Sequence, residues 1–314
     1  MKCKSFIEFL KYIKFMLISE IKFIFFSNDE KYVKRLFKKN HGYELNVDNP
    51  VLIDEKIMVN KYRDDSRIKK ELTDKVTVRK YIKDIGLERI LIYPFTVFNK
   101  VDEVDFSLIK EPMILKCSSN SGSAYKYYPG DKVDKWKIRL LDLSVKQNYY
   151  HHSREKNYDG LNGKIIMERI LNPNKEIILD YKFFCFNGEI GFVFIEHGVS
   201  SDTGSHLKEY KRNIVDRNFL EIEGVKETRD RVDMRYIEKP SNWEDMCYCA
   251  ETISKNLNFV RVDLYSVNGK TYFGETTFYH GSGNNKFEPE EFDLKFANKI
   301  DVIDNNKYLK SNNL

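Results

Sequence analysis

Apolar positions along this chain recur with two periods, one near 3.6 residues and one of 2, and the switches between them predict the elements. The first 26 residues are apolar and aromatic, but Lys2, Lys4, Glu8, Lys11, Lys14, Glu20 and Lys22 interrupt every run, which predicts one or two amphipathic helices. Helical patterns follow over 27–40, over 64–86 with Thr73 or Asp74 as a cap and Gly86 as a stop, over 131–150, and from a Ser241 cap to about residue 256. The β-rich run 90–99 predicts a strand broken at Pro94, Met113 to Cys117 a short buried strand, and 164–170 another. Two hairpins carry the strongest local signal: 179–187 turns at Asn187-Gly188 into 190–196, and 259–266 turns at Asn268-Gly269 into 270–278. The polar stretch 197–240 is expected to be mobile, and the Asn- and Lys-rich end disordered. Helices mixed with antiparallel hairpins, without regular β-α-β alternation, predict an α+β chain.

Composition narrows this picture. With 314 residues, 41% of them hydrophobic, the chain can bury a large core divided among two or three lobes. Lys and Arg number 53 against 48 Asp and Glu, a net charge of +5, with both signs interspersed; this argues against a nucleic-acid partner. Cys3, Cys117, Cys185, Cys247 and Cys249 are odd in number and have neither a disulfide framework nor zinc-site spacing, which suits a reducing cytoplasm. Cys247 and Cys249 are expected as core or surface thiols. No stretch of the N-terminal 26 residues is long and apolar enough to span a bilayer, and lysines recur where a secretory signal would be apolar. The segment either packs on its own domain or rests as a basic amphipathic helix on an anionic membrane surface.

Three constellations carry chemistry. In MILKCSSNSGSAY, a strand delivers Lys116 beside a loop of Ser119, Asn120, Ser121, Gly122 and Ser123, whose small residues let backbone N–H groups approach phosphate oxygens. The segment lacks P-loop spacing, and alone it also fits an ordinary strand end. In FVRVDLYSVNGKTYFGETTF, Arg261 and Asp263 lie two apart on one strand, and Glu275 and Thr277 two apart on the next, so all four can share a face. Converging carboxylates suit magnesium, which takes one or two and leaves its other positions to water and phosphate. A solvated hairpin face with an Arg–carboxylate pair is the plainer alternative. The third is IIMERIL, ending in Glu168 and Arg169, followed by LDYKFFCFNGE with Asp180 and Lys182 on one face; these need partners or form a solvent face.

Together these segments resemble the ATP-grasp superfamily, and within it the TupA-like group associated with teichuronopeptide and surface-polysaccharide synthesis. The resemblance runs over roughly 40–295 and rests on DNPVLIDEKI (48–57), DKVTVRKYI (74–82), MILKCSSNSGS (113–123), IIMERIL (165–171), DYKFFCFNGE (180–189) and FVRVDLYSVNGKTYFGETTFYHGSG (259–283). It implies an ATP-grasp fold with an N-terminal helical region (1–72), an N-terminal ATP-grasp portion (73–112), a lid with the phosphate loop (113–170), a catalytic subdomain (171–300) and a tail (301–314). It further implies ATP and Mg2+ as cofactors. Lys75 and Lys116 would grip the phosphates under a mobile loop containing Ser121, Gly122 and Ser123, and Glu168, Arg169 and Leu171 would form the hinge meeting adenine. Asp180 would lie near the ribose, Lys182 near the transferred phosphate or substrate carboxylate, and Arg261 at the acyl phosphate. Asp263 and Glu275 would hold magnesium. Thr277 replaces the Asn that many ATP-grasp enzymes carry, and SSNSGS replaces a His-Gly-Ser-Gly loop, which puts metal binding through Thr277 and the loop's closing geometry in question. His197, His206, Arg212 and Arg217 are candidates for the acceptor pocket.

The function implied is a cytoplasmic ATP-dependent ligase, peripheral to the membrane at most, that joins a carboxylate to an amine through an acyl phosphate on a surface glycan precursor. An ATP-grasp kinase and a non-catalytic nucleotide binder are the alternatives.

Overall fold

A computed structural model describes residues 2–173, 178–198, 210–226 and 229–304. Its helices are α1 (Lys2–Phe25), α2 (Asp29–His41), α3 (Ile53–Arg63), α4 (Arg67–Thr73), α5 (Thr77–Asp84), α6 (Lys135–Lys146), α7 (Tyr150–Ser153), α8 (Trp243–Ser254) and α9 (Glu290–Ala297). Its strands are β1 (Phe95–Phe98), β2 (Met113–Cys117), β3 (Ala124–Tyr127), β4 (Ile165–Arg169), β5 (Asp180–Phe186), β6 (Glu189–His197), β7 (Lys211–Val215), β8 (Phe259–Val267) and β9 (Lys270–Thr277). They form two antiparallel sheets, ordered β1-β4-β2-β3 and β7-β6-β5-β8-β9. The α+β expectation holds, as do both Asn-Gly hairpins: Asn187 and Asn268 have φ of 52°, followed by Gly188 and Gly269 at 84° and 69°.

The five-stranded sheet covers the main core. Trp243, Met246, Cys247, Ala250 and Ile253 of α8 are buried in one cluster with Phe183, Val260 and Val262, and the Trp243 indole N–H donates to the Arg217 carbonyl at 2.8 Å. The four-stranded sheet has a smaller core, in which Leu141 of α6 is buried with Leu115, Tyr125 and Ile165. A third cluster joins α2 and α3 through Val33, Phe37, Met58 and Val59.

Several expected elements differ. The segment 64–86 is two helices, because Asp74 turns its side chain to the N–H groups of Val76 (2.9 Å) and Thr77 (3.1 Å) and starts α5 afresh. Of 90–99 only Phe95–Phe98 is strand; Ile90, Leu91 and Ile92 are buried, but as a 3-10 turn and loop. The helix of 131–150 is shorter and starts at Asp134, whose carboxylate accepts from the Trp136 N–H. Ser241 does not cap α8. Its N-cap is Asn242, whose amide bonds instead to Thr271 and Ser266 across the sheet. Part of 197–240 is ordered as β7, with Arg212 and Asn213 buried; residues 199–209 and 227–228, and the tail from 305, lie outside the described residues.

Candidate active site

Register gathers charge on one face of the larger sheet. Lys182 opposes Asp263 across β5 and β8, Asp263 opposes Glu275 across β8 and β9, Asp180 opposes Glu196 across β5 and β6, and Glu196 opposes Arg212 across β6 and β7. Directly opposed residues share a face, and Arg261 joins them two positions from Asp263. The β8–β9 pair has a bulge: Asp263 pairs with Glu275 but Leu264 pairs with Phe273, leaving Gly274 over. Without that extra residue Phe273 and Glu275 would point the same way. With it, Phe273 enters the core and Glu275 joins the charged face.

The network is tightly bonded. Lys182 Nζ donates to Asp180 Oδ2 at 2.6 Å and Asp263 Oδ2 at 2.9 Å and lies 3.5 Å from Glu196 Oε2. Arg261 forks onto Asp263, Nε to Oδ1 and Nη2 to Oδ2, both at 2.6 Å, and its Nη2 reaches Glu275 Oε1 at 3.3 Å. Arg212 instead directs both Nε, at 2.9 Å, and Nη2 onto the single oxygen Oε1 of Glu196. Arg261 Nη1 lies 2.7 Å from His280 Nδ1, and Asn285 holds the other ring nitrogen at 2.6 Å. Since a guanidinium only donates, Nδ1 of His280 is the acceptor.

Environment sets the charge states. Burial alone would raise Asp263, but Arg261 and Lys182 outweigh it and hold the carboxyl below its ordinary range. Burial pushes Asp180 up to about 6 despite Lys182, and its Oδ1 is buried with no hydrogen-bond partner among the described residues. Burial, with Arg261, Arg212 and Lys182 nearby, keeps His280 well below its usual pKa and therefore neutral. Glu275 differs from all of these: its side chain is 45% exposed, against 3% for Asp263.

That exposed carboxylate opens on a cleft between the two sheets. Lys75, Lys116, Glu168 and Glu275 line it, with Leu72, Val78, Ile166 and Phe273 as apolar walls. Lys116 on β2 pairs with Glu168 on β4 at 2.5 Å. Lys75 is fixed at both ends, its N–H donating to the Ser118 carbonyl at 3.1 Å and its Nζ to the Asn120 carbonyl at 2.9 Å. Asp74 Oδ2 accepts from the Ser118 hydroxyl at 2.7 Å. Thr73 and Arg79 line the cleft too, so it sets three cations, Lys75, Arg79 and Lys116, beside its apolar walls.

Not every predicted residue points into this cleft. In the Ser/Gly loop only Ser121 and Gly122 are exposed; Ser119, Asn120 and Ser123 are buried, with Ser123 donating to Asn120 at 2.7 Å and Asn120 to the Ser144 carbonyl at 3.2 Å. Arg169 is exposed and paired with Glu111 at 2.8 Å, away from the lining, and Leu171 is half-buried just past β4. Thr277 opposes Arg261 and is half-buried on the charged face. Arg217 lies elsewhere, on Glu244 and Glu251; His197 ends β6, and His206 is outside the described residues. Sequence reasoning missed Glu196 and His280. The first interrupts an otherwise apolar strand and the second directly follows the β9 motif, signals that were present.

Of the two opposed carboxylates, only Glu275 is free to take a cation without displacing a side chain. Glu275 turns an open side toward the cleft, while both oxygens of the facing Asp263 are bonded to Arg261 and Lys182, and among the described residues no group of three or more His, Cys, Asp or Glu could hold a metal ion. Magnesium takes one or two carboxylates supplemented by phosphate and water.

A family model described as TupA-like ATPgrasp matches residues 55–301. A search of curated proteins finds no match. Among solved structures, the D-alanine-D-alanine ligase of Helicobacter pylori is 12% identical over 74% of this chain and 60% of that one, with a TM-score of 0.42. The L-amino acid ligase of Bacillus licheniformis is 12% identical over 73% and 46%, with a TM-score of 0.39. ATP-grasp ligase PsnB, complexed with a phosphomimetic variant of its minimal precursor, Mg and ADP, is 11% identical over 75% and 62%, with a TM-score of 0.40. The chain spans between 57% and 60% of the length of three D-alanine-D-alanine ligase chains that it matches. With most of its length matched by one family model, the chain belongs to the TupA-like ATP-grasp family.

Proposed function

We propose that this protein is an ATP- and magnesium-dependent ligase that joins a carboxylate to an amine through an acyl phosphate. The observation that carries the reading is the position of Glu275. It lies at once in the cleft lined by Lys75 and Lys116 and on the sheet face that holds Asp263 and Arg261. Nucleotide phosphates gripped by the lysines would therefore end beside the paired carboxylates.

In this reading the apolar walls take the base, with Glu168 and Leu171 at the hinge, and the partnerless Asp180 Oδ1 accepts a ribose hydroxyl. Lys75 and Lys116 hold the phosphate chain, and backbone N–H groups of Ser121 and Gly122 cover it. Asp263 and Glu275, with Thr277 beside them, would hold magnesium, which when bound neutralises the phosphate oxygens. A substrate carboxylate oxygen attacks the γ-phosphorus, the bond from that phosphorus to the bridging oxygen breaks, and ADP leaves. The amine nitrogen then attacks the acyl carbon, the carbon–oxygen bond to phosphate breaks, and the nitrogen's proton passes to the departing phosphate. Arg261 and Lys182 supply fixed positive charge for both oxyanions, with their own positions set by Asp263, Asp180 and Glu196. Because phosphoryl transfer is mostly positioning and charge neutralisation, no protein nucleophile is needed.

The substrate class proposed is a carboxylate-bearing glycan precursor of the cell surface with an amino acid or amino alcohol as the amine, a choice supported by the family match. Hydroxylamine tests the intermediate. With Mg-ATP and the correct carboxylate it should intercept an acyl phosphate as the hydroxamate without the amine; ADP formation with a phosphorylated product and no hydroxamate would point to a kinase instead.

A further inference from the structure

The N-terminal helix is attached along one side only. Glu8 pairs with Lys137 at 2.6 Å, Tyr12 donates to Gln147 at 2.6 Å, Glu20 meets His151 at 2.8 Å, and Phe9 packs on Trp136. These residues recur at helical spacing and fix α1 to α6 and α7. Of the two acidic residues of α1, Glu8 is thereby paired with a lysine and Glu20 with a histidine on the attached side.

The other side is apolar, exposed and basic. Ile7, Leu10, Leu17, Ile21, Ile24 and Phe25 form a stripe, with Leu17 at 58%, Ile24 at 72% and Phe25 at 79% exposure. Lys4, Lys11 and Lys22 follow one edge of that stripe at helical spacing, and Lys14 lies within it; all four are exposed, and among the described residues none has an ion-pair partner. Lys135 and Arg139 of α6, also exposed, extend the positive charge beside Trp136. At 1.5 Å per residue the stripe runs for about 30 Å. No helix among the described residues is long and apolar enough to cross a membrane.

We propose that α1 docks the protein on an anionic membrane surface, lying in the interface plane with its apolar stripe among the acyl chains and its lysines at the headgroups. Charge complementarity selects this occupant. A second copy would bring the same lysines face to face, whereas acidic headgroups neutralise them while lipid covers the stripe. The inference is independent of the ligase reading, since it rests on α1 and α6 and not on the cleft.

The test is cosedimentation of the full chain with vesicles of phosphatidylcholine containing a minority of phosphatidylglycerol, and with phosphatidylcholine alone. Binding should require the anionic lipid and weaken as salt rises. Charge reversal in K11E/K14E/K22E should cut the affinity by far more than tenfold, given roughly fivefold per basic residue near such a surface. The variant L17S/I21S/I24S should also lose binding with ATP affinity and Tm retained, because these side chains are already in solvent. Failure to bind anionic vesicles, equal binding to neutral ones, or a concentration-dependent dimer abolished by the serine variant without vesicle binding would overturn the proposal.

Discussion

At the residue scale the site separates held charges from an open one. Asp263, Lys182 and Arg261 are buried and mutually bonded, so each is part of a scaffold, whereas Glu275 is half exposed and only loosely held by Arg261. Substituting Glu275 should therefore affect chemistry without affecting folding. Glu275→Gln is expected to lower kcat by about 100-fold, in line with removal of one fixed charge from a phosphoryl-transfer site, and to leave the urea unfolding midpoint unchanged. A large loss of stability with kcat retained would place Glu275 in the scaffold instead. Lys182→Met should lower stability as well as activity. Removing the cation shared by Asp180, Asp263 and Glu196 should cost about 3–5 kcal/mol in urea unfolding, because three carboxylates would be left without it.

At the element scale, regular alternation was legible in the sequence and its interruptions were not. The hairpins of β5–β6 and β8–β9 show period 2 and Asn-Gly turns, and the charged residues of β5 and β8 were placed on one face by that period alone. The bulge at Gly274 has no such signal, because a register shift appears only when two strands are paired. A Cβ at Gly274 would lie 3.0 Å from the Asp263 carbonyl and 3.0 Å from the Tyr265 ring. Gly274→Val should displace β9 from Asp263, turn Glu275 away and lower kcat/KM by more than tenfold; an unchanged value would show that the bulge does not aim Glu275.

Helices α3 and α9 went unread for a different reason. Lys61 on α3 is fully buried, its ammonium spent on the Ser282 carbonyl at 3.0 Å and hydroxyl at 3.1 Å, so a charged residue occupies a core position and hides the apolar stripe. Asp293 of α9 is likewise buried and accepts the Ile53 N–H at the start of α3 at 2.7 Å. Burial, with Glu55 and Glu290 nearby, raises its carboxyl to about 6. The folded state then holds this proton more tightly than the unfolded chain, so Asp293 favours folding at low pH and that contribution is lost as pH rises from about 4 to 6. Asp293→Asn should remove this slope, gaining on the wild type by about 2 kcal/mol between pH 4 and pH 7 in urea unfolding. Parallel curves would show that the carboxyl is not shifted.

At the scale of the whole molecule, the cleft exists because the segment from Leu72 to Asp74 is held from both sides. Thr276 of β9 donates to the Leu72 carbonyl at 2.8 Å, while Asn157 donates to Thr73 at 2.8 Å and Ser118 to Asp74 at 2.7 Å. One short connection thus ties the larger sheet to the smaller one and carries Lys75 between them. Sequence motifs identified Lys75, Lys116, Asp263 and Glu275 as separate candidates; their convergence is a property of two sheets facing each other, which no single segment encodes. The Ser/Gly loop shows the converse, since composition alone suggested more free hydroxyls than the folded loop leaves to solvent.

Paired release of ADP and inorganic phosphate from Mg-ATP, with carboxylates such as uronic acids, nucleotide-linked uronates and poly-glutamate screened against amines, separates a ligase from a kinase. The ligase account predicts equal release of both products, dependent on a carboxylate and an amine together and abolished in Lys116→Ala and Glu275→Ala. ADP formed without phosphate, or release that persists in both variants, would contradict it.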